Sequence, residues 1–459
     1  MKSDNRRFLR RSALVVAIAG ISGPASAAFF QIAENSPSGL GNAFAGGAAA
    51  AEDASTVWYN PAGMTRLKSQ QFVIGGHFID PSFKATINSA SAVSGQPISG
   101  GGGDAGQSAV IPNFYYALPL SNDFSLGMGV NAPFGLKTEY DTTWAGRYHA
   151  LTSDIKTINF NLAGAYKINE TLSAGAGINY QTLKAELSQA VDFATLCTVA
   201  AGGAFSAACG GTAGFTPNGN PNDGKAKVTA DSTALGYNLG LTAQLQDNFR
   251  VGAAYRSKMK HTLSGTFDIT VPGNVPGALT GATGLANSDA KADVTLPSTL
   301  SLSAHLQVDS QWTLMADITR TNWSALRELR IRFPNSIQAD SVVTLNLSDA
   351  YRFAIGTTYK PNSSWVIRGG VALDQSPVTS DLDRTPRLPD SDRTWYTVGA
   401  GLQVTPALSF DFGYAYIKLD SSRVNKTASP TNENFLRGNL NASYQGSVQV
   451  LSAQGRWVF

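Results

Sequence analysis

The chain has 459 residues, of which 15% are charged and 43% hydrophobic, and its formal net charge is +3. The first 27 residues hold five of the 35 basic residues and one of the 32 acidic residues, so the remainder is close to neutral. This balance excludes the basic stripe of a nucleic-acid-binding protein, and no nucleic-acid partner is expected. The charged fraction is below the ~25% that is usual in soluble domains, which fits strands that face lipid with alternate residues.

Residues 1–27 have the composition of a secretory signal peptide. Basic residues come first, an apolar run follows at 13–21, and Ala25-Ser26-Ala27 supplies the small residues of a cleavage site. The apolar run is too short to span a bilayer, which argues against the alternative of a membrane anchor. The chain is therefore expected to leave the cytoplasm.

The next segment, residues 28–68, does not alternate as a strand would. Its centre is rich in Ala and Gly, and it ends in the run Asn60-Pro61-Ala62. Proline fixes φ and asparagine tolerates turn geometry, so the simplest interpretation of this run is a turn. A compact non-β segment ahead of many strands predicts a plug, or hatch, inside the lumen of a barrel formed by residues 69–459.

Two-residue alternation dominates the rest of the chain and is clearest at its end. Leu451, Ala453, Gly455, Trp457 and Phe459 share one face of the last strand. Similar alternation recurs at 351–359, 365–373 and 408–416. An arginine inside such a strand, as at Arg352 or Arg368, is costly on a lipid face and is expected to face a polar lumen.

The connections between these strands alternate in length. Short turns are predicted near residues 121–123, 169–170, 246–248, 309–310, 361–363 and 405–406, and long Gly-, Ser- and Asn-rich segments lie between them. Short periplasmic turns opposite long external loops are typical of outer-membrane barrels. The sequence therefore predicts an all-β, antiparallel transmembrane barrel of about 14 strands in the bacterial outer membrane. A soluble multi-sheet protein is the competing interpretation.

One predicted strand, which begins near Phe124, ends in Asn131-Ala132-Pro133-Phe134-Gly135. Proline cannot donate to a sheet ladder and Gly135 weakens the strand further, so pairing should break here. Either the wall kinks at this point or Pro133 simply begins the following loop.

Cysteine and histidine indicate neither a metal nor a cofactor. The only cysteines, Cys197 and Cys209, lie in one Gly- and Ala-rich region, which predicts a disulfide in an oxidising compartment. The four histidines are scattered without the spacing of metal ligands. No cofactor is expected.

Several blocks resemble the FadL-type family of long-chain fatty acid transporters of the outer membrane. In the N-terminal segment these are Ala28-Phe29-Phe30-Gln31, Ser38-Gly39-Leu40-Gly41, Asp53-Ala54-Ser55 and Asn60-Pro61-Ala62. In the wall they are Asp349-Ala350-Tyr351-Arg352, Gly356-Thr357-Thr358-Tyr359, Asp374-Gln375-Ser376-Pro377-Val378 and Leu388-Pro389-Asp390-Ser391-Asp392-Arg393. Their ordered occurrence spans the mature chain.

The resemblance implies a barrel of fourteen strands, plugged by its N-terminus, that passes hydrophobic molecules inward. It implies that Asn60-Pro61-Ala62 is a plug element whose position gates passage, and that Asn131, Pro133, Phe134 and Gly135 form a kink in the third strand where substrate leaves sideways. The implied surroundings are outer-membrane lipid and lipopolysaccharide, and the family precedent is a monomer.

Arginines are the expected ligands of a fatty-acid carboxylate, because a guanidinium binds that group with two parallel hydrogen bonds. Arg393, in the family-like block, is the first candidate, followed by Arg330 and Arg352; an ion pair with a neighbouring carboxylate is the alternative for each. Gln189 stands where the family carries a basic residue. This difference favours an uncharged ligand.

Other functions remain in competition at this stage. Uptake of aromatic or other hydrocarbons is the main alternative to fatty-acid uptake. An outer-membrane lipase is disfavoured because the sequence contains no G-x-S-x-G motif, and an adhesin barrel would need no plug. The protein is not expected to be an enzyme.

Overall fold

In a computed structural model of the protein, which describes residues 29–200, 223–273, 275 and 277–459, almost every strand belongs to one continuous wall. The strands are β1 Gln71–Ser91, β2 Gly103–Asp104, β3 Ala109–Pro119, β4 Phe124–Asn131, β5 Gly135–Glu139, β6 Thr152–Lys167, β7 Leu172–Asp192, β8 Asp223–Gln246, β9 Phe249–Arg256, β10 Met259–Thr270, β11 Ser288–Leu296, β12 Thr299–Gln307, β13 Trp312–Thr321, β14 Glu328–Arg332, β15 Ser341–Thr344, β16 Ala350–Tyr359, β17 Trp365–Asp374, β18 Arg393–Thr405, β19 Leu408–Leu419, β20 Ser422–Lys426 and β21 Asn439–Val458.

The helical elements are short. They are α1 Pro37–Leu40, α2 Gly47–Ala50, α3 Thr56–Tyr59, α4 Phe193–Ala200 and α5 Gly277–Thr283, with 3₁₀ turns at Pro61–Arg66 and Trp323–Ala325. Within the described residues, no helix is both long and apolar enough to cross a membrane.

The wall closes on itself because β21 pairs antiparallel with β1 along its whole length, from Val458 opposite Gln71 to Asn439 opposite Ser91. Six wall strands are interrupted. β4 and β5 both pair with β6, β9 continues as β10, β11 continues as β12, β13 continues as β14, β15 continues as β16, and β19 and β20 both pair with β21. Counted in this way, the described chain forms a closed antiparallel barrel of 14 strands. The predicted fold class is confirmed.

Alternate residues on the wall strands face opposite environments. On β17, Ile367, Val371 and Leu373 are exposed, whereas Arg368 and Asp374 are buried. An outward apolar face and an inward polar face are the arrangement that lipid outside and a polar interior require. The six predicted short turns are also confirmed, because each falls between consecutive paired strands.

Residues 29–67 fold as a chain of single helical turns in contact with inward-facing wall residues. The two helical turns α1 and α2 pack against strands on opposite sides of the barrel, β18, β19 and β21 for α1, and β9 and β12 for α2. The predicted signal peptide lies outside the described residues. So does Cys209, and the disulfide with the buried Cys197 stays a prediction.

Candidate functional site

The N-terminal segment is held to the wall by arginines that donate to its backbone carbonyls. Single-turn helices leave their carbonyls without partners, and a guanidinium offers five donors to satisfy them. Five wall arginines have this role: Arg250 to Ala49 and Ala50, Arg256 to Trp58, Arg352 to Ala43, Arg393 to Phe29 and Arg456 to Glu52. This attachment does not depend on the segment's side chains.

One buried ion-pair network adds to these contacts. Arg368 Nη2 lies 3.1 Å from Glu52 Oε2 in the segment, and Arg368 Nη1 lies 2.7 Å from Asp411 Oδ1 in the wall. Removing one member of a buried pair leaves an uncompensated charge and typically costs about 3–5 kcal/mol. The network therefore resists displacement of the segment.

Asn60 forms the most extensively bonded polar contact of the segment. Its fully buried Nδ2 donates to the carbonyls of Ala48 (2.6 Å), Leu241 (2.9 Å) and Ala253 (3.3 Å), while its Oδ1 accepts from the Ala62 amide. Two of these acceptors belong to the wall. The Asn60-Pro61-Ala62 run thus fastens the segment to the wall as well as forming a turn.

Wall glycines provide the space for this run. A Cβ on Gly240 would lie 1.9 Å from Asn60 Oδ1, and one on Gly175 would lie 2.5 Å from the Ala62 nitrogen. Side-chain atoms essentially never approach so closely, so the segment fits only against a wall without side chains at these two positions.

The predicted break in the third wall strand is present. β4 ends at Asn131 and β5 begins at Gly135, and β3 pairs with β4 only between Phe114 and Pro119. Above that level β5 pairs with β6, and on its other side it has a single bridge, between Thr138 and Gly106, with a hydrogen bond from the Glu139 amide to the Ala105 carbonyl at 3.0 Å. The wall is therefore interrupted between β3 and β5.

The chain N-terminus lies against this interruption. Ile32 donates its amide to the Pro133 carbonyl at 2.8 Å, and Gly135 donates its amide to the Phe30 carbonyl at 3.0 Å. A Cβ on Gly135 would lie 2.8 Å from Ile32 Cδ1. The segment is thus directly hydrogen-bonded to the residues that break the wall.

Four aromatic rings pack beside the interruption. The Trp323 ring centroid lies 5.4 Å from that of Phe29, 5.1 Å from that of Phe30 and 6.1 Å from that of Phe134. Trp323 is fully buried, and its indole Nε1 has no hydrogen-bond partner in the described residues. The cluster makes the inner side of the interruption apolar.

Two cavities are lined by residues of the barrel, the N-terminal segment and the external connections. The inner cavity, about 120 Å³, borders both the segment and the interruption; its lining includes Ile32, Trp58, Tyr59, Pro133, Phe134 and Arg352. The outer cavity, about 1060 Å³, lies among the external strands and loops; its apolar lining includes Leu187, Leu196, Phe267, Ile331, Phe333 and Leu436. An apolar pocket with a few polar groups is the usual form of a small-molecule site.

Four cations line the outer cavity, Arg330, Arg387, Lys426 and Arg437, together with four carboxylates, Asp192, Glu328, Asp340 and Glu433. Arg330 pairs with Glu328 and Asp340. Glu433 accepts from the backbone and hydroxyl of Thr344, and the buried Asp192 accepts from the backbone and hydroxyl of Thr195. The other three cations donate to neutral oxygens, for example Arg437 Nη2 to Ser341 Oγ at 3.2 Å. The charges therefore balance in number, but the hydrogen-bond partners of Arg387 in the described residues are all neutral oxygens.

Arg387 places a positive charge beside the neutral side chain of Gln189. Its Nη2 lies 2.9 Å from Gln189 Oε1, and its Nη1 donates to the Ser188 carbonyl at 3.1 Å. Burial, together with the neighbouring Arg437, lowers the pKa of Arg387 to about 9. An anion beside Arg387 would oppose both of these effects on its pKa, because an opposite charge favours the ionised form.

The three predicted substrate arginines lie in different places. Arg393 donates to the Phe29 carbonyl (3.1 Å) and pairs with Asp390, and Arg352 donates to the Ala43 carbonyl (2.7 Å) beside the inner cavity. Arg330 lines the outer cavity, where it is half exposed and pairs with Glu328 and Asp340. Their binding of substrate stays a prediction.

Sequence reasoning missed Arg387, Arg437 and Lys426. They occur in or beside the long external connections, where no periodicity shows which way a side chain points. The one available signal was the position of Arg387 immediately before the family-like block that begins at Leu388. Within the described residues, no group of His, Cys, Asp and Glu is placed to hold a metal ion.

A closed barrel with an apolar outer face is the architecture of a protein of the bacterial outer membrane. The family described as "Outer membrane protein transport protein (OMPP1/FadL/TodX)" matches residues 18–459. The chain belongs to this family.

Individual relatives agree with this assignment over nearly their whole length. The chain is 33% identical over 475 residues to "Outer membrane protein P1" of Haemophilus influenzae, covering 98% of each chain. It is 32% identical over 434 residues to "Long-chain fatty acid transport protein" of Escherichia coli K12, covering 92% of this chain and 95% of that protein. The crystal structure of a Pseudomonas aeruginosa FadL homologue superposes with a TM-score of 0.82 at 26% identity, over 94% of this chain and 99% of that one.

Proposed function

We propose that this channel takes up long-chain fatty acids. The observation that carries the proposal is the outer cavity, which combines an apolar lining with the buried Arg387, whose hydrogen-bond partners in the described residues are all neutral oxygens. A long-chain fatty acid has the matching form, an apolar chain that ends in one negative charge. An uncharged hydrocarbon would leave the buried guanidinium of Arg387 without a counter-charge, at a cost in desolvation.

The carboxylate is proposed to bind between Arg387 and Arg437. Arginine binds carboxylates with two parallel hydrogen bonds, and such bonds are about twice as strong as those between neutral groups. Because the present partners of Arg387 are neutral oxygens, a carboxylate is a stronger partner than those it already has.

From the outer cavity the fatty acid is proposed to pass to the inner cavity and to leave through the interruption between β3 and β5. The segment of residues 29–67 acts as the plug in this proposal, because its terminal residues occupy the inner side of that interruption. Exit into the membrane rather than into water keeps an apolar chain out of the aqueous phase. Arg352 and Arg393 hold the plug and meet the substrate only as the plug shifts.

The same proposal includes the surroundings of the barrel. Pairing of β21 with β1 closes the wall within one chain, so a monomer is sufficient for transport. The external connections rise into the layer that lipopolysaccharide occupies, and lipopolysaccharide is the expected neighbour of the outer half.

The Arg387→Gln substitution tests the carboxylate site. We expect the affinity for oleate to fall about tenfold, corresponding to the loss of roughly 1.4 kcal/mol, while toluene uptake is unchanged. Arg387→Lys should retain part of the oleate affinity, because it keeps the charge and loses the two-point geometry. Both ligands are measured as uptake by cells that lack their own transporter.

The exposed Arg423 provides the matched control, since it is an external arginine away from the cavity lining. Arg423→Gln should leave both ligands unaffected. If Arg387→Gln lowers oleate and toluene uptake equally, the residue is structural and the carboxylate site is wrong.

A further inference from the structure

A second interruption of the wall lies between β8 and β10. Residues 225–231 of β8 pair with β10, and residues 238–246 pair with β9. Between them, residues 232–236 pair with β7 on one side only, and the facing stretch of β10, residues 259–263, pairs only with β11. Five residues of strand correspond to about 17 Å of open ladder.

The local sequence accounts for this interruption. Ser257 and Lys258 separate β9 from β10, and the next wall strand is broken at the same level by Pro297 and Ser298. Proline donates no ladder hydrogen bond. At its lower end the opening is bounded by the hydrogen bond from the Ser257 amide to the Tyr237 carbonyl at 2.9 Å. At its upper end it is bounded by the pairing of Ser264 with Asp231.

An open ladder is costly in a membrane. Backbone groups without partners are tolerated at membrane depth only where they are buried in protein or line a cavity. The inner cavity reaches the lower edge of this interruption, because its lining includes Pro297 and also Asn238 and Arg256, the pair at which the β8–β9 ladder begins. The same lining includes Pro133 and Phe134, so one cavity borders the first interruption and the lower edge of the second.

One apolar cluster also connects them. It contains Phe30, Phe134 and Trp323 at the first interruption and Met259 and Leu263 at the second. An apolar chain that reaches the aromatic cluster therefore has a continuous apolar path in both directions.

The second interruption is closed by side chains rather than by backbone, through Met259 and through a hydrogen bond of 2.7 Å between Ser232 Oγ and the buried His261 Nδ1. The inward residues of β8 there are small: Ser232, Ala234 and Gly236. Met259 fills the space, since a Cβ on Gly236 would lie 2.5 Å from Met259 Sδ. Methionine is unbranched and adapts its shape readily. Outside, Leu235 is 75% exposed, so the outer face of the opening is apolar.

We propose that the interruption between β8 and β10 is a second lateral portal for hydrophobic molecules, with Met259 as its gate. The proposal rests on the lateral exit included in the proposed function. The ligand class is the same, an alkyl chain or another slender apolar molecule. The plug backbone is hydrogen-bonded across the first portal, whereas side chains alone close the second, Met259 and the hydrogen-bonded pair Ser232 and His261.

The test uses the Gly135→Arg background, in which the first portal is blocked, and measures uptake of labelled oleate. Adding Met259→Ala should raise the residual uptake about tenfold, as expected when a barrier falls by roughly 1.4 kcal/mol. Adding Gly236→Leu to the same background instead, which fills the opening, should abolish the residual uptake. Gly164→Leu is the control, because a Cβ at Gly164 meets only Leu126 and Phe124 at 3.6 Å or more.

Each outcome is decisive once heat-modifiability on gels has shown that the barrels fold. Residual uptake that neither Met259→Ala nor Gly236→Leu changes overturns the second portal and leaves the proposed function intact. If the Gly135→Arg variant shows no residual uptake and adding Met259→Ala restores none, the second portal is also overturned and the proposed function stays intact. Normal uptake with both portals blocked overturns lateral exit altogether.

Discussion

The Gly135→Arg substitution is expected to lower oleate uptake about tenfold or more, as a rise of roughly 1.4 kcal/mol in the passage barrier would produce. Gly135 lies where β5 begins, and the space beside its Cα is shared with Ile32 of the N-terminal segment. A long cationic side chain there fills the interruption and places a charge on an apolar route. The measurement is uptake of labelled oleate by cells that lack their own transporter.

Gly135→Ala is the matched control for this result. Its Cβ would lie 2.8 Å from Ile32 Cδ1, the end of a flexible side chain that can move aside. Uptake by this variant should stay close to that of the native protein. If Gly135→Arg folds, as judged by heat-modifiability, and transports oleate normally, then substrate does not leave between β3 and β5.

The Gly370→Val substitution is expected to unseat the N-terminal segment and raise ion conductance through the barrel. A Cβ at Gly370 would lie 2.4 Å from the carbonyl carbon of Asn42 and 2.7 Å from the Ala43 nitrogen, both backbone atoms. Forcing extra atoms into a packed site costs about 1–3 kcal/mol, and here the segment is the part that can move. Single-channel recording in planar bilayers measures the effect.

Gly369 offers a control on the same strand. A Cβ at Gly369 would meet only Thr357 Cγ2 at 4.0 Å, so Gly369→Val should leave conductance low. Equal conductance of the two variants would show that residues 29–67 do not block the lumen.

The barrel itself was accessible from the sequence because lipid imposes a strict two-residue period on the wall. Ile367, Val371 and Leu373 had to share a face, and the structure places them outward. The break at Pro133 was equally predictable, because a missing amide donor is a local property of the residue. The lack of alternation in residues 28–68 marked them as a plug separate from the wall, and the resemblance then agreed with that prediction.

The two-residue period of the wall could not predict the roles of the arginines. Alternation shows that Arg352 faces inward, but not that a carbonyl of the segment lies within 2.7 Å of it. That contact joins residues more than 300 positions apart in the chain. Arg387 lies in a long connection whose path depends on tertiary packing, so its approach to Gln189 left no sequence signal.

The second interruption was missed for a related reason. β9 and β10 are separated by Ser257 and Lys258, neither of which is a strand breaker, and the proline responsible lies on the neighbouring strand at Pro297. Register between strands, rather than the sequence of one strand, opens the ladder there.

The central claim is that this channel carries hydrophobic carboxylates. Its most direct test is the uptake of labelled oleate and of labelled toluene, measured side by side in cells that lack their own transporter and express this chain. The account predicts oleate uptake that falls on Arg387→Gln and is unaffected by Arg423→Gln. Toluene uptake without oleate uptake would contradict it and would identify the protein as a hydrocarbon channel with the same barrel and the same N-terminal segment.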